Sequence, residues 1–122
     1  MTAAGYETEH VIDGIDIRPA LNGQSIERDA LYWYYPHYSN QGGIPGGARM
    51  GDYKLVENYE DGSVALFNLK DDLGELNDLA AVNPEKVIMM RQRLHKWYKS
   101  LDAKFLQSKK GNTPWRPESV DK

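Results

Sequence analysis

Alternating apolar and polar positions predict a small antiparallel sheet in the middle of the chain. A run of aromatic and apolar side chains of the kind that suit a pleated surface begins at residue 31, and similar runs recur up to residue 69. Asp61-Gly62 lies between the last two runs and is a strong hairpin signal. The predicted strands cover residues 29–35, 48–50, 53–59 and 64–69. They form a sheet of three or four strands.

A spacing of three and four between apolar positions predicts a long amphipathic helix over residues 84–104. Asn83 is the expected N-cap, and Pro84 occupies the first helical position, where its missing N–H costs nothing. The apolar stripe consists of Val87, Met90, Leu94, Trp97 and Leu101, with His95 at its boundary and a basic, solvated face opposite. The predicted fold class is α+β: a small three- to four-stranded antiparallel sheet covered on one face by this C-terminal helix.

The other segments are interpreted from their turn residues and isolated apolar positions. Residues 11–23 are expected to form a strap, pinned onto the core by Ile15, Ile17 and Leu21. Leu73, Leu76 and Leu79, spaced by three, predict short turns that dock on the core. Residues 108–122 are predicted to be a polar tail, with Trp115 as an anchor, so that residues 1–107 make up the single domain.

Composition narrows the function classes. The net charge of -3 gives no reason to expect a nucleic-acid partner or an anionic membrane surface. No apolar run approaches the roughly 20 residues that a membrane span needs. The chain has no cysteine, which excludes disulfides, thiolate metal sites and a cysteine nucleophile. No metal site is predicted, because the histidines lack helical ligand spacing and Asp71-Asp72 is more typical of a turn cap than of half a carboxylate site.

A polar, glycine-rich loop after the first predicted strand carries the best candidate chemistry. Pro36 stops the strand, and residues 37–47 follow with many groups that form hydrogen bonds and little to bury. Two interpretations stay open: a ligand-contacting loop or a long exposed connection. The residues alone indicate no complete active site. The candidate contacts are His37, Tyr38, Asn40 and Gln41.

Several motifs occur in a shared order over about residues 11–104. They read DGIDIRPALNG at 13–23, ALYWYYPHYSNQGG at 30–43, ARMGDYKL at 48–55, LFNL at 66–69 and DLGELNDL at 72–79. In this order they resemble the C-terminal subdomain of the sulfatases, the alkaline-phosphatase-like sulfuric ester hydrolases. Asp78 stands where that family has Asn, which is expected to affect a turn cap rather than function.

The resemblance implies a parent enzyme that uses calcium and a formylglycine in a larger N-terminal catalytic domain. This chain has no cysteine and no S-x-P-x-R sequence, so it is predicted to be inactive alone, with no catalytic, metal or cofactor residue of its own. The subdomain is expected to pack on the catalytic domain and to help shape the rim that holds a sulfated sugar or an aryl sulfate. His37, Tyr38, Asn40 and Gln41 would then contact substrate. Whether the parent is periplasmic or secreted stays open.

Two alternatives belong to other functional classes. A free-standing carbohydrate-binding module would use Trp33, Tyr35 and Tyr38 as a stacking surface, although a strand's residues must also fill the core. An oligomerisation module would pair through the face that normally meets a partner domain. The molar mass in solution separates a monomer from a homo-oligomer.

Overall fold

The computed structural model describes residues 14–37, 45–107 and 115–117. The four strands form one antiparallel sheet in the order β1-β2-β3-β4, followed by a long helix. The elements are α1 Arg18–Leu21, β1 Leu31–Tyr34, β2 Pro45–Met50, β3 Tyr53–Asn58, β4 Val64–Asn68 and α2 Pro84–Ser100. The α+β class is confirmed, with four strands. Within the described residues, no helix is long and apolar enough to cross a membrane.

The hairpin between β3 and β4 turns at the predicted Asp61-Gly62. Gly62 has a φ of 73°, a left-handed conformation that costs glycine little. The Asp61 carboxylate accepts hydrogen bonds from both the backbone N–H and the hydroxyl of Ser63. Local turn chemistry therefore sets the register that pairs Val56 with Ala65.

Alternate residues of each strand point toward α2 and form the core with it. Ala48, Leu55 and Leu66 lie side by side on neighbouring strands, and all three are fully buried. The other buried core residues are Tyr59, Met90, Leu94, Tyr98, Ala103 and Phe105. The helix lies across β1, β2 and β3, so it covers one face of the sheet as the sequence predicts.

The predicted helix end is wrong by four residues: α2 stops at Ser100 rather than at residue 104. Asp102 has a φ of 49°, and the chain then turns back so that Phe105 packs against the core. Leu101, predicted as the last residue of the stripe, is consequently 52% exposed. Asn83 stands at the N-cap position as predicted, but its side chain makes no capping hydrogen bond.

Within the described residues, most of the contacts expected between the strap or the leucines and the core are also wrong. Ile15, Ile17 and Leu21 are exposed, and α1 buries none of its residues. Leu73 and Leu76 are exposed, whereas Leu79 packs on the core. Hydrogen bonds between a side chain and the backbone hold the connection instead, because the Asp72 carboxylate accepts from the N–H groups of Leu76 and Asn77. Asp72 is therefore a turn-capping residue. Residues 11–13 lie outside the described part.

Trp115 is an anchor, as predicted. It is partly buried against the core and lies parallel to the Tyr59 ring, with centroids 6.4 Å apart. Pro117 is fully buried, so residues 115–117 are not a solvated polar tail. The rest of 108–122 lies outside the described residues.

Candidate functional site

The loop after β1 leaves the sheet from a firmly held strand end. Tyr34 packs edge-on against Phe105, with ring centroids 5.6 Å apart. Its hydroxyl donates a hydrogen bond to the Lys104 carbonyl, which ties β1 to the segment after α2. Burial raises the pKa of Tyr34, so this hydroxyl keeps its proton at neutral pH. The residues that follow Tyr34 therefore start from a fixed position.

His37 lies exposed just beyond that strand end. Its imidazole contacts the Tyr35 ring edge-on, with centroids 5.3 Å apart and an interplanar angle of 77°. The ring is accordingly available to a ligand, although no described residue beyond Tyr35 orients it. The other three predicted contacts, Tyr38, Asn40 and Gln41, lie outside the described residues, so the structure does not test whether the four come together.

The connection between β1 and β2 is shorter than the predicted loop of residues 37–47, because β2 already begins at Pro45. Gly46 pairs with Tyr34 and is buried in the sheet. A Cβ at Gly46 would stand 1.8 Å from the Tyr59 hydroxyl and 2.2 Å from the Tyr98 hydroxyl, which leaves room only for glycine. Two buried tyrosines thus require this glycine at the base of the loop.

A second cluster, which the sequence did not predict as a site, surrounds the buried carboxylate of Glu57. The Arg91 Nε lies 2.6 Å from Oε1, and the His95 Nε2 lies 2.9 Å from the same oxygen. Arg91 also donates to the Gly62 carbonyl at 3.1 Å and lies over the Trp115 ring. A cavity of about 380 Å³ is lined by Gly62, Arg91, His95 and Trp115.

The Glu57 cluster is a structural tie rather than a catalytic centre. Each of its charged groups is satisfied by another member, and together they join α2 to the β3–β4 hairpin. A sequence signal existed: Glu57 follows Tyr53 and Leu55 on the inward side, while Arg91 and His95 are four residues apart on one helix face. The expectation that His95 is a boundary residue is wrong, since it is 8% exposed.

A third feature is a pair of exposed aromatic side chains in and just after β1. Trp33 is 45% exposed and Tyr35 is 53% exposed. Trp33 lies over Gly47, with its Cε3 3.6 Å from where a Gly47 Cβ would stand. The neighbouring rings of Tyr32 and Tyr34 instead point toward α2, where Tyr32 stacks on Trp97 at 5.1 Å. The strand is therefore aromatic on both sides.

Metal chemistry finds no support in the part of the chain that the structure describes. No group of three or more His, Asp or Glu side chains there is arranged to hold a metal ion. Asp61 and Asp72 serve turns instead, because each carboxylate accepts hydrogen bonds from nearby backbone N–H groups.

Known proteins are similar to this chain both in sequence and in fold. No protein-family model matches the chain. A protein named "Sulfatase" from Formosa agariphila is 35% identical over 100 aligned positions, which cover 70% of this chain and 18% of that protein. The solved structure of BT4656 in complex with its substrate D-glucosamine-2-N,6-O-disulfate matches with a TM-score of 0.62 and 27% identity. It covers 79% of this chain and 21% of BT4656.

This chain therefore spans about a fifth of the length of the proteins that it matches. The match extends over most of the chain and includes both sequence and fold. The motifs that carry the resemblance extend from D-G-x-x-x-x-P at residue 13 to D-x-G-E at residue 72. In sequence and in fold, the chain resembles the C-terminal subdomain of a sulfatase.

Proposed function

We propose that this chain completes a sulfuric ester hydrolase by packing on its N-terminal catalytic domain and contributing the loop after β1 to the rim of the substrate site. The observation that carries the proposal is the position of His37. It is an exposed imidazole at the end of a strand fixed by Tyr34, within a fold that matches BT4656, whose structure holds a disulfated glucosamine as substrate, at a TM-score of 0.62. Calcium and formylglycine belong, in this proposal, to the catalytic domain.

The proposed ligand is a sulfated sugar or an aryl sulfate. An imidazole can donate or accept a hydrogen bond, and in its charged form it pairs with a sulfate oxygen. Tyr38, Asn40 and Gln41 add phenol and amide groups that bind sugar hydroxyls. Because BT4656 is described with a disulfated glucosamine as its substrate, sulfated glucosamines are the first compounds to test.

The first experiment is a sulfate-release assay on this chain alone and on a longer polypeptide that contains it. We expect release from the longer polypeptide and none from the chain alone. Release by the chain alone would overturn the proposal, because the chain has no cysteine and no S-x-P-x-R sequence from which a formylglycine could form. No release by either would contradict the hydrolase role.

The second experiment tests the rim through His37→Ala in the longer polypeptide. Losing one hydrogen bond to a charged group is expected to raise KM for the sulfated substrate about tenfold. His37→Asn, which keeps a donor and an acceptor, should recover part of the loss. Gln92→Ala on the exposed side of α2 is the matched control. An unchanged KM in His37→Ala would remove the rim role and leave the subdomain assignment standing.

A second candidate function is carbohydrate binding by the chain itself, favoured by the exposed rings of Trp33 and Tyr35. Titration calorimetry of the chain with sulfated and unsulfated oligosaccharides tests it. Binding that Trp33→Ala and Tyr35→Ala both abolish would support a module that stacks on sugars. No heat at millimolar ligand would exclude it.

A further inference from the structure

We propose that a cavity between β1 and α2 binds a sugar that carries a sulfate group. The cavity has a volume of about 330 Å³ and is lined by Tyr32 of β1 and by Arg93, Lys96, Trp97 and Ser100 of α2. It is here called the Trp97 site. The inference rests on the proposed function for the choice of a sulfated sugar, whereas binding at this site can be measured without sulfate release.

The helical period brings the four residues of α2 to one side of the helix. Lys96, Trp97 and Ser100 follow Arg93 by three, four and seven positions, and side chains at these spacings share a face. Tyr32 of β1 lies against the same side, since its ring stacks on that of Trp97 with centroids 5.1 Å apart and an interplanar angle of 16°. A strand and a helix therefore hold the two rings in a fixed position.

The two stacked rings offer an apolar surface to one side of a sugar ring. Tyr32 and Trp97 pack on the core while they remain partly exposed. Ligand pockets are mostly lined by apolar and aromatic side chains, with a few polar groups that fix the orientation of the ligand, and their volumes begin at about 300 Å³. The volume of about 330 Å³ is at the lower end of this range, which suits a single sugar residue.

Lys96 supplies the positive charge that a sulfate group requires. Its side chain is exposed, and no carboxylate among the described residues forms an ion pair with it. Arg93 adds further donors, because a guanidinium carries five N–H groups and the ion pair with the Asp29 carboxylate is made through Nη2. The Ser100 hydroxyl donates to the Trp97 carbonyl at 2.7 Å, so its oxygen can still accept from a sugar hydroxyl. The site thus combines aromatic rings with cationic and hydroxyl groups.

Charge complementarity favours a sulfated sugar over the alternatives. A neutral sugar would leave the Lys96 ammonium without a partner in the complex. A nucleic acid is disfavoured by the net charge of -3, which repels a polyanion at long range.

The Trp97 site is separate from the loop after β1. His37 does not line the cavity, and it follows Tyr32 by five positions, which is about 17 Å along an extended strand. A sugar in the Trp97 site therefore lies apart from the proposed rim of the substrate site, where it would hold another residue of a sulfated oligosaccharide.

Titration calorimetry of the 122-residue chain with D-glucosamine-2-N,6-O-disulfate tests the site. The neutral sugar N-acetylglucosamine and inorganic sulfate are the comparison ligands. Lys96→Gln removes the exposed cation, and Asp29→Asn removes the carboxylate that competes for Arg93. Lys70→Gln, on the exposed turn after β4, removes one positive charge elsewhere and is the matched control.

We expect Lys96→Gln to raise the Kd for the disulfate at least about threefold, because a charge-assisted hydrogen bond is lost, and Asp29→Asn to lower it about twofold. Lys70→Gln and His37→Ala should bind like the parent chain, and both comparison ligands should bind more weakly. An equal Kd in Lys96→Gln and Lys70→Gln would overturn the proposal. Equal binding of inorganic sulfate, or no binding of the disulfate at millimolar concentration, would overturn it too.

Indole N–H signals in nuclear magnetic resonance spectra locate the bound sugar. The chain has three tryptophans, and Trp97→Phe identifies the signal of Trp97. We expect the disulfate to shift this signal and to leave those of Trp33 and Trp115 in place. A shift at Trp33 alone would overturn the proposal in favour of the exposed rings of β1. Binding at Trp97 without sulfate release by the longer polypeptide would contradict the hydrolase role, whereas sulfate release without this binding would contradict the Trp97 site alone.

Discussion

The buried carboxylate of Glu57 in β3 contacts His95 Nε2 in α2 at 2.9 Å, although the two residues are 38 positions apart in sequence. Glu57 is fully buried, and its other close partner is the Arg91 guanidinium. A buried carboxylate is tolerated only when it is paired and hydrogen-bonded. This contact therefore fixes which turn of the helix lies over the sheet.

Replacing Glu57 by Gln should destabilise the chain. Arg91 and His95 would lose their charged partner while they remain partly or wholly buried, which costs about 3 kcal/mol. The free energy of unfolding in urea measures the effect. Glu60→Gln, on the exposed turn after β3, is the matched control and should change it by less than about 0.5 kcal/mol. Equal stability of the two variants would show that the contact does not stabilise the fold.

Gly46→Ala should destabilise the sheet at the base of the loop. The new methyl group would overlap the hydroxyls of Tyr59 and Tyr98, and overpacking of this kind costs about 3 kcal/mol. Thermal unfolding provides the measurement. Gly74→Ala introduces the same methyl group with its nearest neighbour at an ordinary 3.5 Å, so its midpoint should stay close to that of the parent chain. A small effect at both positions would mean that the two tyrosines move apart at little cost.

Asp78 should stabilise the fold through its side-chain oxygen and not through its negative charge. Its Oδ1 accepts hydrogen bonds from the N–H groups of Leu66 and Ala80, at 3.0 and 2.9 Å. Asp78→Asn keeps this acceptor, so its unfolding free energy should stay within about 0.5 kcal/mol of the parent, whereas Asp78→Ala should lose about 1–2 kcal/mol. A large loss in Asp78→Asn, measured by urea unfolding, would show that the negative charge matters.

Stability should fall in alkali because two buried phenols cannot ionise in the folded chain. Tyr59 donates to Tyr98 at 2.7 Å, and burial raises the pKa of both hydroxyls above the ordinary value of 10.0. Above that pH the unfolded chain releases these protons while the folded chain keeps them, so the free energy of unfolding decreases as pH rises. Urea midpoints at about pH 8 and pH 11 measure the change.

Tyr98→Phe removes one of the two phenols and serves as the comparison. Its urea midpoint should fall less between the two pH values than that of the parent chain, since one fewer raised pKa is lost on unfolding. The same pH dependence in both chains would show that other groups cause the alkaline loss.

Part of the fold follows from residues close together in sequence. Asp61-Gly62 forms its turn through hydrogen bonds to Ser63, and Pro84 begins a helix because its own ring favours that position. The motif order indicated the resemblance to a sulfatase for the same reason, since each motif is a local segment. The candidate residue His37 was also placed correctly at a strand end, although its role stays a proposal.

The strands, the hairpin, the start of the helix and the resemblance to a sulfatase could be predicted from the sequence, because turn hydrogen bonds and apolar periodicity act over a few residues. Which residues of α2 are buried depends instead on contacts between distant parts of the chain. His95 and Tyr98 replace Leu101 in the core, because Glu57 in β3 and Tyr59 just after β3 offer them partners that are distant in sequence. Packing likewise leaves Ile15, Ile17 and Leu21 exposed, since an apolar residue is buried only where another surface meets it.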